Sequence, residues 1–438
     1  MAERCDAVIV AIVGAGSMQF TQQVVSDLVR DPVTRDVHFR LMDRDPARLE
    51  LARRLVGRLQ DEAGATGGVE AYAELAAALR GVDFALNEIQ MGGLSATTTD
   101  FEIPARYGIR QTIGDTLGIG GISRSLRTIP AVLDIVAVLR EQAPAAWFLN
   151  YTNPMATVMR AVTWMHPDLV TAGLCHSAEY TARTLASYLD VPFTELDWLS
   201  AGINHQAWLL RLEHEGRDLY PRLHEKARDP AIAARDPVRF ELLSRFGRFV
   251  TESSEHNAEY VPYFLPWDDE IERLQIPVGE YLRRSHAAAA KFEALSRRVE
   301  EPGSLMVDPS PEYAPRIIRA VLSREPLVFY ANVPNAGSIS NLPPEALVEV
   351  PAVVDQHAIR PTLVGALPEG PRALNQQSIS VELLVTKAIL ERDRDLLHQA
   401  AYLDPLMQTR LRLSEIDALV EELLQAQQEW IPAHRALR

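Results

Sequence analysis

Cysteine is nearly missing from this chain: two of its 438 residues, Cys5 and Cys175. That is too few for a disulfide framework, so Cys175 is expected to be a reduced thiol. No window approaches the roughly 18 uninterrupted apolar residues of a membrane-spanning helix, and the first residues enter a strand-like run without a secretory pattern. A cytoplasmic protein with no membrane partner is expected. Positive charge is in deficit, 44 Lys and Arg against 59 Asp and Glu, a net charge of −15. This disfavours a nucleic-acid partner and leaves no basic patch for a membrane surface. Internal repeats are absent, and the alanine run 287–290 reads as plain helix. What remains is an ordinary globular composition at a length beyond what one core supports, which implies two closely packed domains.

The first element is a buried strand over residues 7–13, followed by the turn Gly14-Ala-Gly16-Ser17 and a helix from about Met18 to Leu28. Such glycines let the backbone approach a pyrophosphate, while the amides at the helix N-terminus face its charge. The third glycine of the dinucleotide fingerprint is absent, Gln19 standing in its place, but a second strand, His38–Met42, ends in Asp43 where a ribose-binding acid belongs. An acid there favours NAD over NADP. The alternative is a tight turn with an exposed Asp. The strand–helix rhythm continues through a strand at 82–86 that delivers Asn87, a glycine-rich loop over Asp100–Arg127, a helix at 129–139 and a strand at 147–149. The loop reads either as functional or as a mobile surface segment.

Three polar clusters end successive apolar runs: Asn150-Tyr-Thr-Asn-Pro154, Gly173-Leu-Cys-His-Ser177 and Gly202-Ile-Asn-His205. Strand tips are where open α/β sheets bind ligands. Cys175 and His205 are a thiol and an imidazole able to supply two ligands to one divalent metal, and their chemistry alone favours iron, cobalt or zinc. A small buried structural thiol is the alternative for Cys175. A hairpin pairing 207–212 with 219–220 is expected at the entry to a second domain, whose helices fall near 238–251, 270–300, 312–323, 376–403 and 413–428. The boundary is placed at 195/196. Within that domain, Glu252, Glu255, His256, Glu259 and Tyr260 crowd ten residues, either as a base and hydroxyl-binding cluster or as a solvated helix end.

Taken together, Gly14–Ser17, Gly114-Asp-Thr-Leu-Gly118, the three strand-end clusters, Asn332-Val-Pro-Asn335, Arg360-Pro361 and Leu374-Asn375 resemble glycoside hydrolase family 4, the NAD- and metal-dependent glycosidases. The resemblance implies an α/β fold in two parts. The first is a Rossmann-type doubly wound sheet like that of the lactate and malate dehydrogenases (1–195), the second a mostly helical α+β domain for substrate, metal and oligomerisation (196–438). It also implies NAD bound by Gly14, Gly16, Ser17, Asp43, Asn87 and Asn153, and a divalent metal, usually manganese, on Cys175 and His205. Asn153, Asn204, Arg124 and Arg360 become substrate-binding candidates. Tyr260 is the base by analogy, with Tyr263, Glu259 and His256 as alternatives. Some relatives carry an acidic Asp after the metal cysteine, where this chain has His176, so His176 and Asp115 are the candidates for the acid.

The chemistry implied is oxidation of the sugar C3 by NAD⁺, removal of the acidified C2 proton, elimination of the aglycone, addition of water and return of the hydride. The pattern is most similar to the α-galactosidase branch, with α-galacturonidases and α-glucosidases close to it. Phospho-glycosidases fit less well, since beyond Arg124 and Arg127 no basic cluster offers itself to a second phosphate. Two rivals stand outside the family: an NAD-dependent 2-hydroxy acid dehydrogenase, for which Cys175 has no role, and a non-catalytic NAD-binding sensor, which would lack a metal ligand or base. Apolar helix faces near the C-terminus suit a homodimer or homotetramer.

Overall fold

The computed structural model describes residues 7–432, 436 and 437; Cys5 lies outside them. Among the described residues twelve strands form one sheet. They are β1 (Ile9–Val13), β2 (His38–Met42), β3 (Val69–Tyr72), β4 (Phe84–Asn87), β5 (Trp147–Asn150), β6 (Thr171–Leu174), β7 (Leu196–Ile203), β8 (Gln206–His214), β9 (Arg217–Asp218), β10 (Leu327–Pro334), β11 (Leu347–Val354) and β12 (Ile359–Pro361). The first six run parallel in the order 3-2-1-4-5-6, each covered by helices, which is the doubly wound arrangement. The near-continuous apolar runs of the inner strands follow from burial on both faces, while the edge strand β3 is only partly buried. Beyond β6 the sheet turns antiparallel and continues through β10, β11, β7, β8 and β9, with β12 on β11. The sheet thus crosses residue 196 without a break.

Four expectations are corrected. The stretch 100–127 is mostly helical: helices Gly93–Arg106 and Gly118–Gln142 leave only 107–117 irregular. Gly120 and Gly121 belong to the first turn of the second helix because it lies against that segment; a Cβ at either would sit 2.4 Å from the carbonyl oxygen of Gly114 or Thr116. The main partner of β8 is β7, through a turn at Asn204-His205, and its pairing with β9 is confined to residues 213–218. The helix expected to 251 stops at Phe246, with Gly247 left-handed after it. Residues 248–251 then run alongside β8, with Leu209 N donating to Phe249 O and Thr251 N to Ala207 O. This delivers residues 252–260 to the tips of β6 and β7. Finally, the expected helices 270–300 and 376–403 are each broken in two, at 274–279 and at 392–393. No described helix is long and apolar enough to cross a membrane.

Candidate active site

At the tip of β1 the chain turns through Gly14 at φ +95°, where a Cβ would press on the backbone of Glu88 and Ile89 at 3.0 Å. Asp43, at the end of β2, accepts hydrogen bonds from Gly16 N (2.8 Å) and Asp45 N (2.9 Å). Ser17 is exposed and makes no side-chain cap on the Met18–Arg30 helix. The start of that helix is therefore open to an anion. A tight glycine turn, an open helix N-terminus and an acid at the second strand tip fit a dinucleotide. Asn87 is fully buried, its amide donating to Asn150 Oδ1 (2.7 Å) and Thr152 Oγ1 (3.1 Å). It braces the 150–153 loop through these two hydrogen bonds.

The irregular segment 107–117 is fastened by Glu259. Its buried carboxylate accepts from the backbone N–H of Thr112 (2.8 Å), Ile113 (3.1 Å) and Gly114 (2.8 Å), and from the Thr112 hydroxyl (3.0 Å). That engagement places Asp115 and Thr116. Asn153 Nδ2 donates to Asp115 Oδ2 (3.1 Å), Thr116 Oγ1 donates to Asp115 Oδ1 (2.8 Å), and Thr116 Oγ1 also meets His205 Nδ1 (3.2 Å). The Tyr260 hydroxyl lies 3.3 Å from the same His205 nitrogen. Asp115, His205 and His256, all buried, each bring a ligand atom within 4.8 Å of the others. Nδ1 of His256 is taken by Ser253 Oγ (3.0 Å) and Glu252 (3.5 Å), so both rings keep Nε2 uncommitted among the described residues. His256, with a carboxylate at Nδ1 and Nε2 free, has the usual arrangement of a metal-ligating histidine, while Nδ1 of His205 is met by the hydroxyls of Thr116 and Tyr260.

Cys175 stands just past β6, outside that triad but bound to it electrically. Burial, then the Glu349 carboxylate, push its thiol up to about 12, with Glu252 adding to the effect. The charge of His205 acts on both of these carboxylates. Burial would also raise Glu252, but His256, His205 and His176 outweigh it and hold the group at about 2. Glu252 keeps this place with φ +72°, a conformation non-glycine residues adopt at some cost and mostly at functional sites. Asp115 is likewise held below its ordinary value, burial being overcome by Arg124, His256 and His205. Asp115, His205 and His256 form an oxygen and nitrogen donor set that fits a divalent cation, with Glu252 behind His256 and Cys175 at the neighbouring tip of β6.

His176 is half-exposed, with Nδ1 3.1 Å from Glu312. Burial opposes its charge, but that carboxylate lifts it to about 9. Arg124 is buried, donates to the Tyr281 hydroxyl (3.2 Å) and lies over its ring at 5.6 Å. Burial, then Glu259, Asp115 and Glu252, raise the Tyr260 phenol well above its ordinary value. Among the other base candidates, Tyr263 is exposed against Phe246 and Phe264, and Glu259 is occupied as a brace. Asn204 is buried and directs its amide to Glu349 (3.0 Å). Arg360 is corrected outright. It pairs with Asp355 on an exposed hairpin and sits opposite Val353, four residues along β11 from Glu349, roughly 13 Å at the rise of a strand. Arg127 is also no anion site, since it is sealed in an ion pair with Asp100 (2.5 Å) and donates to Gln427 (3.1 Å). Sequence reasoning passed over Glu349, Glu312 and Tyr281. The one visible sign of Glu349 was a lone acid inside the apolar run 346–350.

Two family models match, "Family 4 glycosyl hydrolase" over residues 9–191 and "Family 4 glycosyl hydrolase C-terminal domain" over 200–407. An α-galactosidase of Bacillus subtilis is 40% identical over 97% of this chain and 99% of its own length. An α-galacturonidase of Lachnoclostridium phytofermentans is 27% identical over 97% of this chain and 96% of its own. A 6-phospho-α-glucosidase from gut microorganisms, solved with NAD and Mn²⁺, superposes with a TM-score of 0.83 at 22% identity, covering 99% of this chain and 100% of that one, and shares the fold. The two matched models and the 40% identical relative make this chain a member of glycosyl hydrolase family 4.

Proposed function

We propose that the protein is an NAD- and divalent-metal-dependent glycosidase acting on α-galactosides. The observation that carries this reading is the 40% identity to an α-galactosidase across nearly the whole of both chains, joined to the convergence of Asp115, Asn153, His205 and Tyr260 in one pocket. When bound, NAD⁺ supplies a hydride acceptor for sugar C3, and the divalent cation, preferably Mn²⁺, supplies positive charge to the C2 and C3 oxygens. The chain does the rest. Gly14, Gly16, Ser17 and Asp43 hold the cofactor. Cys175 and His205, with Asp115 and His256 at hand, hold the cation.

Asn153 and Arg124 meet sugar hydroxyls, each fixed by its own partner, Asp115 for one and Tyr281 for the other. Tyr260 removes the C2 proton, and the proton for the departing oxygen comes from His176, which its Glu312 partner keeps protonated, rather than from Asp115, which is held below its ordinary value as a carboxylate. The phenol is unfavourable as an anion among three carboxylates, so it becomes a base only once positive charge lies next to it on His205. Asp115 balances Arg124, which leaves that guanidinium a poor partner for a uronate or phosphate and favours a neutral galactoside over the galacturonide. The setting is a reducing cytoplasm, where Cys175 stays a thiol, and the assembly is a homodimer or homotetramer.

The test is hydrolysis of nitrophenyl α-galactoside, α-glucoside, β-glucoside and α-galacturonide with reductant, each with and without NAD⁺ and Mn²⁺. Turnover of the α-galactoside that needs both additions and leaves no net NADH supports the reading. NADH accumulating on a hydroxy acid, with every glycoside inert, refutes it.

A further inference from the structure

Glu349 is a carboxylate with no exposed surface in the middle of the antiparallel half of the sheet. Among the described residues no Lys or Arg forms an ion pair with it, and its Oε1 has no hydrogen-bond partner. Oε2 accepts from Asn204 Nδ2 (3.0 Å) and Asn332 Nδ2 (3.3 Å). Burial raises its carboxyl above the ordinary value, and a buried carboxylate of this kind is normally found ionised only when paired or beside a metal. The register shows what it is beside. Gly173 of β6 lies opposite Asn332 of β10, Asn332 opposite Glu349 of β11, and Glu349 opposite Gly202 of β7.

One row therefore crosses four strands with Glu349 inside it. Cys175 stands two residues beyond one end of the row and His205 three beyond the other. The Asn332 amide also reaches Gly173 O (3.4 Å), so the two asparagines form arms from Glu349 to the β6 tip and to the Asn204-His205 turn. The His205 turn has φ +63° and needs such a tether to keep its imidazole in one place.

We propose that Glu349 is a positioning residue for the cation: through Asn332 and Asn204 it fixes the spacing of Cys175 and His205, and its buried charge is balanced by the ion they hold. The inference rests on the reading of Cys175 and His205 as metal ligands. Partners behind a metal's direct ligands typically contribute about 10–100-fold in affinity. Removing the charge while keeping the shape, as in Glu349→Gln, should cost that much, with the melting temperature of the metal-free protein not lowered and NAD affinity unchanged.

The experiment titrates metal-stripped full-length protein with Co²⁺ under anaerobic reducing conditions and follows the thiolate-to-cobalt absorption band in the near ultraviolet. A wild-type protein without that band refutes Cys175 as a ligand, and the proposal with it. With the band present in wild type, E349Q binding Co²⁺ about 10–100-fold more weakly supports the proposal, and partial recovery in Glu349→Asp strengthens it. Equal affinity in wild type and E349Q overturns the proposal while leaving the ligand assignment standing. If E349Q does not fold, Asn204→Ala carries the test: it cuts the arm to His205 and leaves Glu349 in place. An affinity drop of about tenfold is then expected, and an unchanged affinity overturns the proposal.

Discussion

Replacing Glu259 with glutamine probes how the active-site loop is held. The native carboxylate is an acceptor at both oxygens, receiving three donors on Oε2 and the Gly114 N–H on Oε1. Glutamine offers one accepting oxygen and one NH₂. Placed to keep the three donors, it points its NH₂ at the Gly114 N–H and leaves a buried donor without an acceptor, a loss of about 1–3 kcal/mol. Alanine withdraws the acceptor from all three backbone N–H groups, the Thr112 hydroxyl keeping Glu255 O (2.7 Å), and should cost more than glutamine. Asp115 and Thr116 directly follow Gly114, so a shift of the loop by about 1 Å moves the contacts to Asn153 and His205 and lowers kcat on the order of 100-fold. Urea unfolding gives the stability change, and steady-state kinetics on nitrophenyl α-galactoside with NAD⁺ and Mn²⁺ give the rate. Unchanged stability and rate in E259Q refute the brace. A rate loss above about 10⁴-fold, with stability and NAD affinity intact, would instead make Glu259 the base.

Tyr260→Phe removes the proposed base but leaves Thr116 on His205 Nδ1. Its kcat should fall about 10²–10⁴-fold with the melting temperature unmoved, and retained activity would return the role to His256. Cys175→Ser should abolish turnover while NAD affinity, read by fluorescence titration, stays near wild type, because the thiol stands away from the Gly14–Ser17 turn; equal loss of both would make Cys175 a folding residue. Burial pushes Asp404 up to about 6 against the hydrogen bonds from Met407 and Leu406. Its unfolded value is near 4, so the folded state binds the extra proton and this group's contribution falls as pH rises from about 4 to about 6, by at most about 3 kcal/mol. Asp404→Asn keeps an acceptor at the helix cap and should flatten the stability profile in that window; parallel profiles would refute the assignment.

Most of the parallel half of the sheet was legible because β1, β4, β5 and β6 are apolar runs punctuated by polar tips, whereas the edge strand β3, Val69-Glu-Ala-Tyr72, is not such a run and was missed; the turn at Gly14 follows from backbone chemistry alone. Segment 100–127 was misread because glycine marks both flexible loops and close contacts; only the packing of Gly120 and Gly121 on Gly114 and Thr116 separates the two. Tyr260, Asp115 and Asn153 were candidates by family pattern, and the structure gathers them around His205, Tyr260 meeting its Nδ1 and Asn153 reaching Asp115, whose neighbour Thr116 meets the same nitrogen. Glu349 was out of reach because its meaning depends on the register of four strands, which one apolar run does not encode. Arg360 failed in the opposite sense: the motif around it is a matter of hairpin geometry, since Thr362 N returns to Pro351 O and Arg360 closes on Asp355.

The most direct test of the account is the hydrogen at C2 of the released sugar. Proton removal at that carbon by Tyr260 requires a proton to be returned to it before the sugar leaves. Hydrolysis of the α-galactoside in D₂O, followed by NMR of the galactose, should therefore show deuterium at C2 and at no other carbon. Galactose with its C2 hydrogen intact would mean direct displacement at C1 and would contradict the redox-elimination reading.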